Sequence, residues 1–183
     1  MMQQSRTTTW ALAGLFALGS LATTAAKADK VHPFKVNFVT SKGEPAGVAK
    51  ISEDKSGGVK IKLEFKNLPP GQHGVHIHEN ATCTAPDFKS AGGHFNPTGK
   101  HHGFENPMGH HAGDTPSNVV IGDNHSGEAT FILSDVTLDP LAPNSLFAHG
   151  GTSIVVHASG DDMKSDPAGN AGARIACAVV VQP

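Results

Sequence analysis

The sequence of 183 residues lacks three features that mark large classes of proteins. It has no excess of positive charge, because 14 lysine and arginine residues stand against 16 aspartate and glutamate residues. Without a basic patch, we expect no nucleic acid partner. It has no apolar run of about 20 residues, the length that a membrane-spanning helix needs. It also has no segment with a helical repeat of apolar residues and helix caps, so we expect few helices.

Cysteine is also scarce, with only Cys83 and Cys177 present. In an exported protein an even number of cysteines favours a disulfide bond. A disulfide between Cys83 and Cys177 would close a long loop of the chain and stabilise the fold by about 4–5 kcal/mol in the chain-entropy model. Two free thiols, or Cys83 as a metal ligand beside the neighbouring histidines, are the alternatives.

Export is predicted from residues 1–28, which have the pattern of a secretory signal peptide. Arg6 provides a positive start, residues 10–22 form a short apolar run, and Ala26-Lys27-Ala28 fits the small-x-small cleavage pattern. We therefore predict cleavage after Ala28 and a periplasmic or secreted protein without membrane contact after cleavage; a retained anchor is the alternative. Residues 29–183 would then form one domain with a net charge of −4, because cleavage removes two basic residues and no acidic one.

The mature region shows a period of two residues, which is typical of half-buried antiparallel strands. In residues 59–65, for example, every second residue is apolar, and the residues between them are lysine or glutamate. Short strands separated by turns indicate an all-β sandwich or barrel. Two long loops, about 80–116 and 159–172, interrupt the pattern, and loops of such length are usually functional. We predict strands near residues 31–40, 46–53, 58–66, 73–79, 117–122, 127–134, 152–158 and 173–181.

Histidine is concentrated in residues 73–114, which hold eight of the twelve histidines. Neutral imidazole is the commonest protein ligand for zinc and copper. On a strand, His76 and His78 would leave the same face, with Val75 and Ile77 directed into the core. This arrangement predicts two metal-binding nitrogens side by side. A histidine-rich surface with nonspecific metal affinity is the alternative.

A second group of candidate ligands follows in the first long loop. Three imidazoles and one carboxylate are enough for a closed tetrahedral zinc site. The residues that supply them are His94, His102, His111 and Asp114.

Two further residues are ambiguous from sequence alone. His157 ends the apolar segment 152–158, so it is either a core histidine or a further ligand for the pair of His76 and His78. Arg174 lies three residues before Cys177, so it is either a surface charge or a hydrogen-bond donor that fastens the disulfide-linked loop.

Five separated motifs, in this order, resemble those of the secreted copper/zinc superoxide dismutases, and the resemblance covers residues 31–183. They are Gly74-Val75-His76-Ile77-His78-Glu79, Gly93-His94-Phe95-Asn96-Pro97, His111-Ala112-Gly113-Asp114, Val155-Val156-His157 and Gly169-Asn170-Ala171-Gly172-Ala173-Arg174-Ile175-Ala176-Cys177.

The resemblance implies an eight-stranded antiparallel Greek-key β-barrel or sandwich that binds a copper ion and a zinc ion and dismutates superoxide. His94 would bridge both ions. The implied copper ligands are His76, His78, His94 and His157. The implied zinc ligands are His94, His102, His111 and Asp114.

The resemblance also implies roles around the metals. Asp161 would orient a copper and a zinc histidine from behind, and His73 would brace the copper site without binding metal. Arg174 would dock superoxide, His94 would carry a proton, and Cys83 would pair with Cys177. Subunit contacts differ between lineages of the family, so the oligomeric state does not follow from the resemblance; we expect a monomer or a homodimer. The alternative functions are an exported copper- and zinc-buffering protein, or a copper-only or inactive relative, on the same scaffold.

Overall fold

The computed structural model describes Met1 and residues 31–183. The predicted signal peptide, apart from Met1, lies outside the described residues, so its cleavage stays a prediction. No helix within the described residues is long and apolar enough to cross a membrane.

The described chain is built from strands, with two short 3-10 helices, Lys89–Ala91 and Ala148–Gly150, in the connections. The strands are β1 (Phe34–Thr40), β2 (Pro45–Glu53), β3 (Val59–Phe65), β4 (Gly71–His73), β5 (Val75–His78), β6 (Val119–Ile121), β7 (Gly127–Leu133), β8 (Thr152–His157) and β9 (Arg174–Val180).

Apolar and polar residues alternate along these strands, as β3 illustrates. Val59, Ile61, Leu63 and Phe65 are all buried, whereas the residues between them are exposed or half-buried. Because successive side chains of a strand point to opposite faces, one face of β3 packs in the core and the other meets solvent.

The sheet curls into an antiparallel barrel. Seven strands are hydrogen-bonded in the order β5-β8-β9-β1-β2-β3-β7, and β4 pairs separately with β6. Since β4 directly precedes β5 and β6 directly precedes β7, the β4–β6 pair joins the two edges of the curled sheet. Neighbours such as β1 and β9, or β3 and β7, are distant in sequence, as in a Greek key. The predicted antiparallel β-barrel is therefore confirmed.

One predicted strand, 73–79, is divided into β4 and β5. Gly74 lies at the division, where its N–H donates to the carbonyl of Ser159 (2.9 Å) and its carbonyl accepts from the N–H of His157 (2.8 Å). Its backbone is thus bonded to the end of β8 and the loop that follows. A Cβ atom at this position would lie 3.1 Å from both Ala171 Cβ and His76 Cε1, so the close approach favours glycine.

Two long connections of the barrel contact each other. We call residues 79–118 the zinc loop and residues 158–173 the second loop. The N–H of Glu105 donates to the carbonyl of Met163 (2.9 Å), and Asn106 Nδ2 donates to the carbonyl of Lys164 (3.2 Å).

The predicted disulfide is present between Cys83 and Cys177, with a Cα–Cα distance of 5.7 Å. It joins the start of the zinc loop to β9. Around it, Phe88, Ala91 and Val155 form a small apolar cluster separate from the main core. The disulfide and this cluster hold the first part of the zinc loop against the barrel wall.

Candidate metal centre

The strand β5 presents His76 and His78 on the same side, as predicted. Both side chains are buried, with exposures of 0% and 1%, while Val75 and Ile77 belong to the main core. The neighbouring strand β8 ends at His157, whose Nε2 lies 3.4 Å from Nε2 of His78. His157 is therefore part of the histidine group and not an isolated core residue.

His94 completes this group and also belongs to a second one. A β-bridge between His78 and His94 fastens the start of the zinc loop beside β5. The His94 ring lies 4.1 Å from the His76 ring, measured between centroids, and 5.4 Å from the His111 ring. His94 therefore stands between two clusters of possible ligands.

Each cluster brings its candidate ligand atoms within 4.8 Å of one another, and every member is buried. The first cluster is His76, His78, His94 and His157. The second cluster is His94, His102, His111 and Asp114.

The second cluster is centred on one oxygen of Asp114. Oδ1 lies 2.8 Å from Nδ1 of His94, 3.0 Å from Nδ1 of His102 and 3.3 Å from Nδ1 of His111. The other oxygen, Oδ2, accepts the backbone N–H groups of Gly103 (2.9 Å) and His111 (3.0 Å), which fixes the carboxylate.

These separations fit a zinc ion. Tetrahedral zinc with ligands at about 2.0 Å holds neighbouring donor atoms about 3.3 Å apart. The three oxygen-to-nitrogen distances are close to that value, as is the 3.4 Å between Nδ1 of His111 and Nδ1 of His94. Three imidazoles and a carboxylate form a common zinc ligand set.

Ring nitrogens that lack a hydrogen-bond partner support a copper site in the first cluster. Within the described chain, His76 Nδ1 and His94 Nε2 are buried and have no hydrogen-bond partner. Buried ring nitrogens without a partner are costly, so a ligand for them is expected. Four imidazoles suit copper, which has the highest affinity for nitrogen sites among the common divalent ions.

Asp161 links the two clusters from behind. Its Oδ2 lies 2.9 Å from Nε2 of His76, and its Oδ1 lies 3.0 Å from Nε2 of His102. Both imidazoles therefore donate their far N–H to one carboxylate, which leaves the Nδ1 atoms free for the metals. The location agrees with the role that the family resemblance implies for Asp161.

Sequence reasoning missed the residue that holds Asp161. Asn118, just before β6, accepts the Asp161 N–H with its Oδ1 (2.7 Å) and donates its Nδ2 to the Asp161 carbonyl (2.9 Å). The side-chain amide of Asn118 thus binds both backbone groups of Asp161, as the backbone of a neighbouring strand would, and it fastens the second loop beside β6. Nothing local to Asn118 signals it, because its partner is 43 residues away.

His73 lies behind the first cluster and is not a member of it. Its Nδ1 lies 2.7 Å from the carbonyl oxygen of His157, and its Nε2 lies 2.9 Å from that of Pro69. The ring thus braces the backbone at the end of β8, in agreement with the bracing role implied for it.

The remaining histidines of the zinc loop lie outside the two clusters. His101 is about half-exposed, and its Nδ1 lies 2.6 Å from Oδ2 of Asp166. His110 stacks on Phe104 with ring centroids 3.8 Å apart. His149 lies outside the zinc loop, in the 3-10 helix Ala148–Gly150, and has a left-handed φ of 54°.

Burial keeps the first cluster in its metal-binding, neutral form. Desolvation lowers the pKa of His94 and of His157 to about 4, and it places the pKa of His78 well below its ordinary value. It also lowers the pKa of His76, although the hydrogen bond to Asp161 opposes it. These imidazoles therefore carry no proton that competes with a metal at neutral pH.

The pKa values in the second cluster shift differently, because the carboxylates of Asp114 and Asp161 face its imidazoles. Burial lowers the pKa of His102, but its hydrogen bonds with Asp114 and Asp161 outweigh burial and raise the pKa to about 9. Burial raises the pKa of the Asp114 carboxyl, but hydrogen bonds from His102, His111 and His94 hold it far below its usual range. These opposite pKa shifts favour the charged forms of His102 and Asp114, which are hydrogen-bonded to each other.

Arg174 fastens the zinc loop and also borders the first cluster. Its Nη1 donates to the carbonyl of Phe88 (2.8 Å) and its Nη2 to that of Gly92 (2.6 Å). The same Gly92 oxygen lies 3.0 Å from Nδ1 of His78. Of the two alternatives that the sequence left open for Arg174, these contacts show the hydrogen-bond donor. The guanidinium also lies one carbonyl away from a candidate copper ligand.

Comparisons with known proteins agree with this geometry. A family model described as copper/zinc superoxide dismutase matches residues 45–180. Two proteins from Aquifex aeolicus, both named superoxide dismutase [Cu-Zn], are similar to the chain. The first is 52% identical, covering 79% of this chain and 85% of that protein. The second is 46% identical, covering 92% of this chain and 98% of that protein. The crystal structure of a superoxide dismutase-like protein from Bacillus subtilis is 36% identical and has a TM-score of 0.78, covering 82% of this chain and all of that one (100%).

Proposed function

The chain belongs to the copper/zinc superoxide dismutase family, and we propose that it converts superoxide into dioxygen and hydrogen peroxide. The observation that carries the proposal is the position of His94. Its imidazole is shared by two buried ligand clusters, so one ring can face two metal ions at once. A single-metal storage site needs no such shared ligand.

Copper is assigned to the cluster of four imidazoles, and zinc to the cluster with the carboxylate. Copper, when bound, supplies one-electron redox chemistry, through which one superoxide is oxidised to dioxygen while another, with two protons, is reduced to hydrogen peroxide. Zinc has no redox chemistry, so its proposed contribution is structural and electrostatic. It would neutralise Asp114 and fix the zinc loop.

Arg174 is proposed to hold the substrate anion. A guanidinium stays charged and offers several N–H donors in one plane. Two of its nitrogens are bound to Phe88 and Gly92 carbonyls, which fixes its position before substrate arrives. Preorganised positive charge next to the reacting centre is the arrangement that stabilises an anion without further reorganisation.

His94 is proposed to move a proton. Its Nδ1 faces Asp114, whereas its Nε2 points into the first cluster without a partner in the described chain. Nε2 is therefore the atom that can accept a proton from solvent and pass it to the reduced substrate. Asp161 supports this by holding the neighbouring His76 and His102 in one tautomer.

A role limited to copper and zinc buffering is not favoured. Buffering needs the ligand clusters but no fixed cation beside them. Arg174 is held beside His78 by the shared Gly92 carbonyl, and this arrangement serves an anion and not a metal ion.

We propose a periplasmic or secreted location and a monomeric or homodimeric state. The predicted signal peptide and the Cys83–Cys177 disulfide support export, because disulfides persist in oxidising compartments.

The test of this function combines metal analysis with a turnover measurement. The mature protein would be loaded with copper and zinc, analysed for metal content, and assayed for superoxide decay by pulse radiolysis. We expect about one copper and one zinc per chain and decay far faster than the spontaneous reaction. Stoichiometric metal binding without accelerated decay would refute dismutation and leave metal buffering.

A further inference from the structure

One peptide unit, between Gly92 and Gly93, contacts both the proposed docking residue and a proposed copper ligand. Its carbonyl oxygen accepts a hydrogen bond from Nη2 of Arg174 (2.6 Å) and lies 3.0 Å from Nδ1 of His78. A single backbone oxygen therefore positions a guanidinium and an imidazole together. The orientation of this peptide decides whether both side chains keep their acceptor.

The contact with His78 also decides which ring nitrogen faces the metal. A carbonyl oxygen only accepts hydrogen bonds, so the Nδ1 atom that faces it carries the proton. The Nε2 atom then keeps its lone pair, and it lies 3.4 Å from Nε2 of His157 in the first cluster. Loss of the Gly92 acceptor would remove the contact that holds His78 in this tautomer.

The sequence of this peptide unit gives it little restraint of its own. Gly92 has a φ of +77°, a conformation that side chains with a Cβ atom rarely adopt. A peptide between two glycines rotates at little steric cost, and rotation would turn the carbonyl away from His78 and Arg174. A contact from outside the Gly92–Gly93 unit is therefore needed to hold it in place.

Glu79 makes that contact from the opposite side of the peptide. Its Oε1 accepts the Gly93 N–H (2.9 Å), which belongs to the same peptide unit as the Gly92 carbonyl. In a trans peptide the N–H and the C=O point in opposite directions, so a bond to the N–H fixes the direction of the carbonyl. A carboxylate acceptor gives a bond roughly twice as strong as a neutral one. It also polarises the peptide, which makes the carbonyl a better acceptor.

The backbone brings Glu79 into position for this bond. Glu79 directly follows β5, and its own N–H donates to the Gly93 carbonyl (3.0 Å). The β-bridge between His78 and His94 lies beside this pair. Glu79 thus binds Gly93 with both its main chain and its side chain, although its exposed side chain lies outside both ligand clusters.

The next residue makes a comparable contact with another part of the same segment. Asn80 Nδ2 donates to the carbonyl of Ser90 (3.1 Å), and the Asn80 N–H donates to the carbonyl of Ala91 (3.0 Å). The side chains of Glu79 and Asn80 both fasten the zinc loop beside β5. The Glu79 side chain binds the Gly92–Gly93 peptide, whereas the Asn80 side chain binds two residues earlier.

We propose that Glu79 is a positioning residue of the metal centre. Its carboxylate holds the Gly92–Gly93 peptide so that one carbonyl fixes both the tautomer of His78 and the position of Arg174. The inference rests on the proposed function, because it takes His78 as a copper ligand and Arg174 as the residue that docks superoxide. Glu79 acts here through a direct hydrogen bond and not through attraction or repulsion of the substrate.

The experiment follows the protons that the Gly92 carbonyl binds. The copper(I)/zinc protein is diamagnetic, so NMR can measure how fast the His78 Nδ1–H and the Arg174 guanidinium N–H exchange with solvent. Glu79→Ala should make both exchange faster by about tenfold or more, because the lost bond to a charged group no longer opposes rotation of the peptide.

Two further variants separate this role from a general loosening of the loop. Glu79→Gln keeps an oxygen acceptor in the same place without the charge, so its exchange rates should lie closer to the parent protein than those of Glu79→Ala. Asn80→Ala removes a loop-fastening bond from the neighbouring residue and leaves the peptide held, so its rates should stay close to those of the parent. Superoxide turnover, measured by pulse radiolysis at about 1 M salt, where the screening length is about 3 Å, should fall in Glu79→Ala and not in Asn80→Ala.

Two results would overturn the inference. If exchange in Glu79→Ala were no faster than in Asn80→Ala, Glu79 would not hold the peptide. If Glu79→Gln exchanged as fast as Glu79→Ala, the carboxylate would act through its charge and not as a hydrogen-bond acceptor. The exchange rates do not depend on turnover, so failure of the proposed function would be seen separately, as absence of turnover in the parent protein.

Discussion

The substitution Gly169→Ala provides a sharp test of the role of Asp161. Gly169 has a φ of +61°, and a Cβ atom built on it would overlap Oδ1 of Asp161 and lie 2.7 Å from Nε2 of His102. One methyl group would thus push Asp161 away from its two imidazole partners without changing any ligand. The second loop cannot yield easily, because Asn118 holds the Asp161 backbone from the other side.

The cost can be estimated from the bonds lost. Asp161 makes one charge-assisted hydrogen bond to His76 and one to His102, at 2.9 and 3.0 Å. Such bonds contribute about 1.5–3 kcal/mol each, so their loss would destabilise the protein by about 3–6 kcal/mol. For a domain of this size, that corresponds to a drop of about 10 °C or more in melting temperature. Loss of a supporting contact behind a ligand also lowers metal affinity by about 10- to 100-fold.

The matched control is Gly99→Ala. Gly99 has nearly the same φ, +63°, but nothing lies within 4 Å of the position of its Cβ atom. It therefore carries the backbone strain of a left-handed alanine, about 1 kcal/mol, without the clash. The two variants would be compared by calorimetry and by competition with zinc and copper chelators. If Gly169→Ala lost no more stability and metal affinity than Gly99→Ala, the proposed role of Asp161 would be wrong.

Three further predictions concern docking, zinc and pH. Arg174→Glu should reduce superoxide turnover by more than tenfold with metal content near normal, whereas Arg174→Lys should retain part of the rate. Pulse radiolysis with elemental analysis measures both quantities. Unchanged turnover in the glutamate variant would show that Arg174 does not dock the substrate. Asp114→Ala should lower zinc occupancy and melting temperature more than copper occupancy, with Asp162→Ala as an exposed control; equal loss of both metals would contradict the assignment. The metal-free protein should lose stability as pH falls from about 6.5 to about 4. The fold lowers the pKa values of His94 and His157 to about 4. The unfolded chain therefore binds more protons than the folded chain in that range, and acidification favours unfolding. Denaturant titrations at several pH values measure this, and stability that stayed constant or rose on acidification would show that these imidazoles are not held neutral by burial.

Much of the architecture was predictable because it depends on local patterns. The period of two residues that predicted β3 is the same alternation that the barrel buries. His76 and His78 share a face for the same reason, since the period of a strand does not depend on its neighbours. The division of the predicted strand 73–79 was not predictable, because it depends on the bonds of Gly74 to residues more than 80 positions away.

The sequence by itself determined which chemical groups were available: six imidazoles and one carboxylate of suitable type, two cysteines able to pair, and strands to carry them. Tertiary structure placed His94 in both clusters, as the family resemblance implied. It alone decided that Asn118 holds Asp161 and that two carbonyls of the zinc loop bind Arg174. The physical reason is that ligand types and strand periods are properties of short segments. The geometry of a metal site and of its supporting contacts arises from distances between side chains that only the folded chain brings together.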